Sequence, residues 1–434
     1  MTAAVLPNAA SPQTATLDVE MRHTAMPDAA MPRSTYLLIS QVYVPDPASV
    51  GQHMAGAAVE LVKRGHRVVV ITSARGYDDP SARYAARETR DGVDIRRVPF
   101  ASFGKSSIPV RVIGGLLFVM HAIVYGLLLR NVSTVVVATA PPMLAIVPVV
   151  LSWLRRIRIE YWIMDLNPDL AVALGAARSD SIAVHALEWL NRQILARADH
   201  VVVMDRFMQT RVVAKTPSVA GRLTVLPPWP LEDVVAPLPH DRNAFRSEHQ
   251  LQKQFVIMYS GNHSPANPLD TLIAAAEALQ NEAGLTFLFV GGGVGKKAVE
   301  ASSAHNIRSL PYQPLSQLRE SLSAADVHVV SIGDAVVGMV HPCKVYGAMA
   351  VARPILLFGP PENHIADLLR REHIGWHVTH GDVASTVATL RTIYATPKEA
   401  LELMGLRAQQ IVSGRLSRDT LTSALCNVFE GRGE

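Results

Sequence analysis

Short apolar runs alternate with helical patterns from residue 36 onward. Tyr36 to Ser40 contains an apolar run typical of a buried strand, and a second such run lies within Arg67 to Thr72. Between them lies a helical pattern from His53 to Arg64, with Gly65 placed to end the helix. Strand, helix and parallel strand make a βαβ unit, whose loops open at the carboxyl ends of the strands. This pattern predicts a doubly wound α/β fold.

The same alternation continues to about residue 204. It predicts strands at 132–138, 157–164 and 200–204, with helices at 143–154 and 185–196. The strand at 157–164 ends in the loop Asp165-Leu166-Asn167-Pro168-Asp169, which we expect at the carboxyl edge of the sheet. We therefore predict a first Rossmann-like domain over residues 34–228.

A proline-marked segment divides the chain. The run Leu226-Pro227-Pro228-Trp229-Pro230 opens a predicted linker at 229–254. After it, apolar runs at 255–260, 285–290, 327–332 and 354–358 predict a second Rossmann-like domain over 255–414. Residues 415–434 are predicted to form a C-terminal helix that can cross back to the first domain, and residues 1–33 a disordered leader. Two such domains bind their ligands in the cleft between them.

The segment from Val112 to Leu129 is apolar and long enough to meet the threshold for a membrane-spanning helix. We predict that it does not span, because a span would place strands of one sheet on opposite sides of a bilayer. Two interpretations remain open: a helix that touches the membrane surface together with Trp153-Leu154-Arg155-Arg156, or a fully buried helix. Basic residues flank the segment at Lys105, Arg111 and Arg130.

Composition narrows the functional classes. Lys and Arg number 41 against 37 Asp and Glu, a net charge of +4 that is too small to argue for a nucleic-acid partner. Two cysteines, Cys343 and Cys426, cannot form a disulfide framework, which fits a reducing, cytoplasmic setting. Neither a metal-ligating cluster nor an Asp-x-Asp motif is visible, so we predict no metal and no cofactor.

The most informative stretch runs from His341 to Leu356. It places Pro342 and Lys344 at a predicted helix start, where backbone amides and an ammonium together favour an anion. The stretch resembles the Pro-Ser-Lys version of the donor-sugar motif of retaining glycosyltransferases with the GT-B fold, family 4, with Cys343 in the place of serine. An ordinary surface helix with a lysine in its first turn is the alternative.

The resemblance implies two Rossmann-like domains facing a cleft and transfer of a sugar from a nucleotide-sugar donor with retention. The charge that grows on the diphosphate would be stabilised by Lys344, by amides near the helix start and by the turn after the first strand of the second domain. The glutamates that many relatives have around this motif are replaced by Met339 and Gly347. The predicted donor-binding residues are Gly51, Gly261, Asn262, His263, Gly292, Gly293, Leu310, Tyr312, His341, Pro342, Lys344 and Val345.

Three of these assignments keep alternatives. His263 is either a substitute for the Arg and Lys that relatives carry in its loop, or a loop histidine without a role. The glycine run at 291–293 is either a donor loop or a plain connection. Asp165, predicted to be catalytic along with Lys344, either orients and deprotonates the acceptor hydroxyl or caps the turn that follows it.

We therefore predict a hexosyl or N-acetylhexosaminyl transferase that acts on a lipid-linked or polysaccharide acceptor, peripherally bound at the cytoplasmic face of the membrane. Two alternatives are a sugar-nucleotide 2-epimerase and a non-catalytic membrane-surface scaffold, since one fold hosts several functions. The residues leave open the base, the sugar, the acceptor and the oligomeric state.

Overall fold

The computed structural model describes residues 33–76, 79, 81–99, 108–231 and 237–432, apart from the side chains of residues 108, 109 and 111. The leader predicted at 1–33 lies outside the described residues except for Arg33, as do Lys105 and part of the predicted linker.

The first domain is built on one sheet flanked by helices. Its strands are β1 Thr35–Ile39, β2 Arg67–Ser73, β3 Arg87–Arg90, β4 Val93–Val98, β5 Thr134–Ala138, β6 Arg158–Ile163, β7 His200–Val203 and β8 Leu223–Val225. Its helices are α1 Ser49–Lys63, α2 Ile108–Leu128, α3 Ile146–Leu154, α4 Asp169–Ala173, α5 Ile182–Arg197 and α6 Arg206–Lys215. Within the described residues the strand order is β3-β4-β2-β1-β5-β6-β7-β8, and only the β3–β4 pair is antiparallel.

The second domain repeats this plan. Its strands are β9 Phe255–Ser260, β10 Leu285–Val290, β11 Ile307–Leu310, β12 Val327–Ser331, β13 Ile355–Phe358 and β14 Gly375–Val378, in the order β11-β10-β9-β12-β13-β14. The helices from the linker onward are α7 Ala244–Glu248, α8 Asp270–Ala278, α9 Lys296–Ala301, α10 Leu318–Ser323, α11 Lys344–Ala350, α12 His364–Glu372, α13 Val383–Tyr394, α14 Lys398–Ser413 and α15 Arg418–Phe429. The predicted α/β fold with two doubly wound sheets is confirmed.

Burial explains why continuous apolar runs in the sequence predict strands of these sheets. Strand β1 is buried along its whole length, as is β10, because helices cover both faces of a parallel sheet. Strand β3 differs: its four residues are all polar and three of them are exposed, and among the described strands it pairs only with β4, at the sheet edge. An edge strand of this kind has no apolar signature, and the sequence analysis missed it.

The helix predicted at 143–154 begins later than expected. Residues Pro142–Ala145 form a 3₁₀ turn, and α3 starts at Ile146. Pro148 has no amide hydrogen with which to extend the helical ladder back to Leu144, which explains the separate turn.

Helix α2 is half-buried. Phe118 and Ala122 are completely buried, whereas Ile113, Met120 and Val124 on the opposite face are each more than half-exposed. The interpretation of a fully buried helix is therefore wrong. Among the residues that the structure describes, no helix has the length and apolarity to cross a membrane.

The last helix, α15, packs against α1 of the first domain. The Tyr36 hydroxyl donates to the carbonyl of Phe429 at 3.2 Å, and Arg64 forms an ion pair with Glu430 at 2.9 Å. Cys426 is buried in this contact, and burial raises the pKa of its thiol to about 12. The crossing that the sequence left open therefore occurs, and it ties the end of the chain to its first βαβ unit.

Candidate functional site

Glycines allow three loops of the second domain to meet at the carboxyl ends of β9, β10 and β11. Gly261 has φ +134°, and a Cβ built on it would lie 2.5 Å from Cε of Lys344. Gly291 and Gly293 also have positive φ, and a Cβ on either would collide with the Gly261 carbonyl oxygen or with the Asn262 side chain. Side chains at these positions would separate the loops. We call the meeting point of residues 261–263, 291–293 and Lys344 the glycine cluster.

Lys344 places its ammonium in the glycine cluster. It donates to the carbonyl of Asn262 at 2.9 Å, to Oδ1 of Asn267 at 3.3 Å and to the hydroxyl of Tyr259, above whose ring it lies at 4.3 Å. Each of these partners is neutral. Within the described residues no carboxylate pairs with it, and burial lowers its pKa to about 7. A buried ammonium without a carboxylate partner attracts an anion when it is protonated.

His263 contributes a neutral ring to the same cluster. Its amide donates to the carbonyl of Gly292 at 2.7 Å, and Nε2 has no partner among the described residues. Burial, helped by the positive charges of Lys344 and Lys296, lowers the pKa of its imidazole. The ring is therefore neutral near pH 7 and does not supply the second positive charge that a substitute for Arg or Lys would bring. His263 also lines a cavity of about 350 Å³ with Asn267 and neighbouring loop residues.

The start of α11 differs from the expectation of free amides. The amide of Cys343 donates to the carbonyl of His341 at 2.9 Å, and that of Val345 donates to Pro342 at 3.3 Å. The side chain of Val345 is completely buried in the core. Because the turn closes on itself, these two amides are engaged within the protein. The two amides therefore do not serve the predicted stabilisation of the diphosphate charge, for which Lys344 remains the candidate.

The imidazole of His341 lies between the two domains. Its Nδ1 is 3.0 Å from Oδ2 of Asp205, and its Nε2 is 2.8 Å from the hydroxyl of Tyr346. The predicted donor contact of this residue is thus limited to its backbone. Sequence reasoning missed Asp205, although its position between a strand and a helix is the usual place of an N-cap.

Lys296 is a second residue that the sequence analysis missed. Its ammonium donates to the carbonyls of Gly291 and Leu310, both at 2.9 Å, and so ties together the ends of β10 and β11. Tyr312 comes two residues after Leu310, and its exposed ring lies against Gly292. A Cβ built on Gly292 would lie 3.0 Å from this ring. The segment predicted to face the base is therefore fixed to the glycine cluster.

Asp165 lies on the first domain, at the end of β6. Its amide donates to Oγ1 of Thr139 at 3.0 Å, while its carboxylate has neither a hydrogen bond nor an ion pair within the described residues. Burial raises the pKa of this carboxyl to about 6. The interpretation of Asp165 as a cap fails, because α4 has Pro168 at its N-cap position and no side-chain cap. An unpaired carboxylate with this pKa can accept a proton at neutral pH.

The loop that carries Asp165 touches the segment leading to Lys344. The amide of Leu166 donates to the carbonyl of Met339 at 2.8 Å, which joins the two domains beside the donor motif. Gly51 is explained by packing, because a Cβ on it would lie 2.9 Å from the backbone of Tyr43. The structure thus brings Asn262, His263, Tyr312 and Lys344 together, and it leaves Asp165 and Gly51 on the other domain. No group of three metal-ligating side chains is found among the described residues, and metal independence stays a prediction.

Comparison with known proteins agrees with this architecture. Residues 49–229 match the family described as glycosyl transferase 4-like domain. A probable glycosyltransferase of Pseudomonas aeruginosa, WbjE, is 26% identical over 258 residues, which cover 58% of this chain and 64% of WbjE. A putative colanic acid biosynthesis glycosyl transferase of Escherichia coli, WcaI, is 26% identical over 261 residues, covering 57% of this chain and 63% of WcaI. The matches thus span less than two thirds of these relatives.

Solved structures share the complete fold. The crystal structure of Anabaena Alr3699/HepE in complex with UDP and glucose superposes with a TM-score of 0.67, covering 92% of this chain and 100% of that one at 14% identity. The chain thus has the GT-B fold, and its residues 49–229 are similar to the glycosyl transferase 4-like domain.

Proposed function

We propose that this protein transfers a hexosyl or N-acetylhexosaminyl group from a nucleotide sugar to an acceptor with retention at the anomeric carbon. The observation that carries the proposal is the uncompensated ammonium of Lys344 within the glycine cluster. A diphosphate supplies the negative charge that this ammonium lacks. HepE, crystallised with UDP and glucose, has the same fold and supports a donor of this class.

The donor diphosphate lies against Gly261, Asn262 and Lys344 in this proposal, and the nucleoside extends toward Tyr312. As the glycosidic bond breaks, its electron pair goes to the diphosphate oxygen, and Lys344 stabilises the new charge by a charge-assisted hydrogen bond. Lys344 enters this step protonated. Because its pKa in the empty site is about 7, the arriving diphosphate draws a proton onto it.

Asp165 serves the acceptor side. The acceptor hydroxyl forms the new bond to the anomeric carbon on the face from which the diphosphate departs, which retains the configuration. It gives its proton to the Asp165 carboxylate, which is unpaired within the described residues and ionised above its pKa of about 6. The hydrogen bond from Leu166 to the carbonyl of Met339 supports this role, because it joins the loop of Asp165 to the segment that leads to Lys344. Opposite charges on the two domains thereby serve the two halves of one reaction.

We propose further that the first domain rests on the cytoplasmic face of the membrane and takes a lipid-linked acceptor. Apolar side chains project from α2 and from the end of α3: Val112, Ile113, Leu116, Met120, Val124, Leu127, Leu128, Trp153 and Leu154. An exposed apolar surface of this extent marks a contact site. Arg155, predicted as a membrane-facing charge, instead donates to the carbonyls of Gly126 and Leu129 and fixes the end of α2.

The acceptor proposal has support from the relatives, one of which is named for colanic acid biosynthesis. WbjE and WcaI share about a quarter of the matched positions with this chain. The class of acceptor, a growing surface polysaccharide or its lipid-linked precursor, comes from this likeness and from the apolar face.

A nucleotide panel followed by a transfer assay tests the function. UDP, GDP, ADP and their sugars are screened by thermal shift, since a ligand that binds the folded state raises the unfolding temperature. The best donor is then incubated with lipid extract from bacterial membranes, with and without chelator. We expect release of nucleoside diphosphate, label in the lipid fraction, an α-linked product from an α-linked donor, and no effect of the chelator.

Other results would overturn the proposal. Conversion of the free donor to its 2-epimer without transfer would establish the epimerase, and binding to vesicles without any nucleotide effect would establish the scaffold. Activity that vanishes in chelator and returns with Mg²⁺ would show that protein groups alone do not stabilise the leaving group.

A further inference from the structure

A carboxylate of the first domain is bonded directly to the donor motif of the second. Asp205 caps α6: its Oδ1 accepts from the amides of Phe207 and Met208, both at 2.9 Å. Its second oxygen lies 3.0 Å from Nδ1 of His341, and the two side chains are 3% and 1% exposed. One buried side chain therefore holds a helix of one domain and a loop of the other.

The loop at residues 337–343, here named the donor loop, has further ties to the first domain. Nε of Arg211 donates to the carbonyl of Val337 at 2.6 Å, and the amide of Leu166 donates to the carbonyl of Met339 at 2.8 Å. Gly338 has φ +72° and packs so closely on Phe207 that a Cβ would lie 2.7 Å from its backbone. The donor loop leads directly into α11, which begins with Lys344. Contacts between the first domain and the donor loop therefore help to fix the position of the Lys344 ammonium.

The buried network continues into the second domain. Beyond His341, the hydroxyl of Tyr346 lies 2.8 Å from Nε2 of that ring and 3.4 Å from Nε2 of His364. Burial lowers the pKa of His364 to about 3, so this ring is neutral. Burial alone would raise the pKa of Asp205, but the hydrogen bond and charge of His341 hold it below its usual range. Asp205 is therefore ionised at neutral pH.

A surface ion pair provides a second connection between the same two helices, α6 of the first domain and α12 of the second. His364 is the first residue of α12, and Asp367 on the same helix pairs with Arg206 at 2.6 Å. Arg206 follows Asp205 in the sequence. The exposed Arg206–Asp367 pair is screened by solvent, so the buried Asp205–His341 contact carries more of the connection.

We propose that Asp205 is a positioning residue for the donor site: by holding His341 from the opposite domain, it keeps the donor loop and Lys344 in the arrangement that binds the diphosphate. The proposal rests on the proposed function of the glycine cluster. It predicts that donor affinity depends on a residue of the acceptor-side domain that touches neither donor nor acceptor, and by linkage that nucleotide binding tightens the interface between the domains.

Substitution of Asp205 by serine tests this role. Serine keeps the cap of α6, because its hydroxyl accepts from the same amides, but it is too short to reach His341. The matched control is Asp382→Ser, which alters another aspartate cap, that of α13, whose side chain accepts from the amide of Ser385 at 2.9 Å. Binding of UDP, GDP and ADP is measured by calorimetry at a temperature where both variants are folded by circular dichroism.

We expect Asp205→Ser to bind the preferred nucleoside diphosphate about tenfold more weakly than wild type, a typical coupling between sites. Asp382→Ser should bind like wild type. In the transfer assay the donor KM should rise more than kcat falls. Asp205→Asn keeps the cap and the size of the side chain, and its affinity for the nucleotide should lie between those of wild type and Asp205→Ser. This variant keeps the test valid if the serine variant does not fold.

Equal nucleotide affinity in wild type and both Asp205 variants would overturn the inference. A loss of kcat with unchanged donor KM would also overturn it. If wild type binds none of the three nucleotides, the proposed function itself fails and the inference with it. These outcomes are distinguishable, because the first two require a wild-type protein that binds.

Discussion

The two domains repeat one architecture but present opposite chemistry. The second domain gathers glycines around Lys344, an ammonium with neutral partners, whereas the first ends β6 in Asp165, a carboxylate without partners among the described residues. Burial acts on both, lowering the pKa of the ammonium to about 7 and raising that of the carboxyl to about 6. Each domain thus supplies one titratable group that has no oppositely charged partner among the described residues.

Their surfaces differ as well. The first domain exposes apolar side chains along α2 and the end of α3, including Met120 at 61% and Leu154 at 63%. On its helix α14 the second domain exposes Leu403 and Leu406. Two domains with the same fold can therefore differ in function. The buried faces of the parallel sheet stabilise the fold, whereas the loops and the outer faces of the helices are free to carry different functional residues.

The sharpest test of the comparison removes the cation. Lys344→Ala should lower transfer by about 10³-fold and weaken nucleotide binding by about 10- to 100-fold, because a charge-assisted hydrogen bond in a buried site is lost. Calorimetry with the nucleoside diphosphate and initial rates of transfer measure both effects. The control is Lys297→Ala, which removes an exposed lysine from the first turn of α9 and should leave both unchanged. Wild-type turnover in Lys344→Ala would exclude this residue from the site.

The next test removes the carboxylate of the first domain. Asp165→Asn should reduce kcat by about 10²-fold, the usual size of general base catalysis, while nucleotide binding stays at the wild-type level. In wild type, kcat should rise as pH increases through about 6, because the ionised form is the base. Rates between pH 5 and 8 check this dependence. A variant that loses nucleotide affinity as strongly as turnover would show that Asp165 belongs to the donor side.

A pH titration of binding separates the two groups. The pKa of Lys344 in the empty site is about 7, and the diphosphate binds the protonated form, so affinity should fall as pH rises above 7. The expected loss is up to about tenfold per pH unit until the pKa of the complex is reached. UDP-glucose is a suitable probe because its diphosphate has no proton to lose in this range. Affinity that is constant from pH 6 to 9 would mean that the ammonium stays protonated in the empty protein.

The smallest expected effect concerns the surfaces. Replacing Leu116, Met120 and Val124 by Gln should weaken binding to anionic vesicles several-fold and reduce transfer to lipid-linked acceptors, with little effect on a soluble analogue. Gln at Leu403 and Leu406 of α14 is the control and should alter neither. Sedimentation with vesicles at two salt concentrations measures the binding. Equal losses on both acceptors would assign this face to folding alone.

Periodicity along the chain predicted the central strands of both sheets, but it did not predict the outer strands β3, β4, β8, β11 and β14. The runs at 255–260 and 285–290 became β9 and β10 with unchanged bounds, because a strand covered on both faces must be apolar throughout. Strand β3 was missed, since an edge strand with polar residues carries no such pattern. Motif and glycine spacing likewise pointed to Lys344 and to the loops around it.

Other parts of the site were beyond sequence reasoning. Asp205 and His341 are 136 residues apart, and no local pattern connects them. Lys296 looked like part of a glycine-rich loop, yet its ammonium ties two strand ends together. The engaged amides of Cys343 and Val345 depend on how tightly one turn closes.

The sequence by itself determined the class of fold, the alternation of the central strands with helices and the motif that carries Lys344, because these follow from local burial patterns and short spacings. The tertiary structure decided which charges are left unpaired and which are satisfied. The side chain of His341 contacts Asp205 of the other domain, whereas the carboxylate of Asp165 has no partner within the described residues. Both residues follow strands in loops, and no local sequence pattern distinguishes the two cases. Pairing and desolvation are set by residues that are distant in the chain and adjacent in space, and only the folded molecule brings them together.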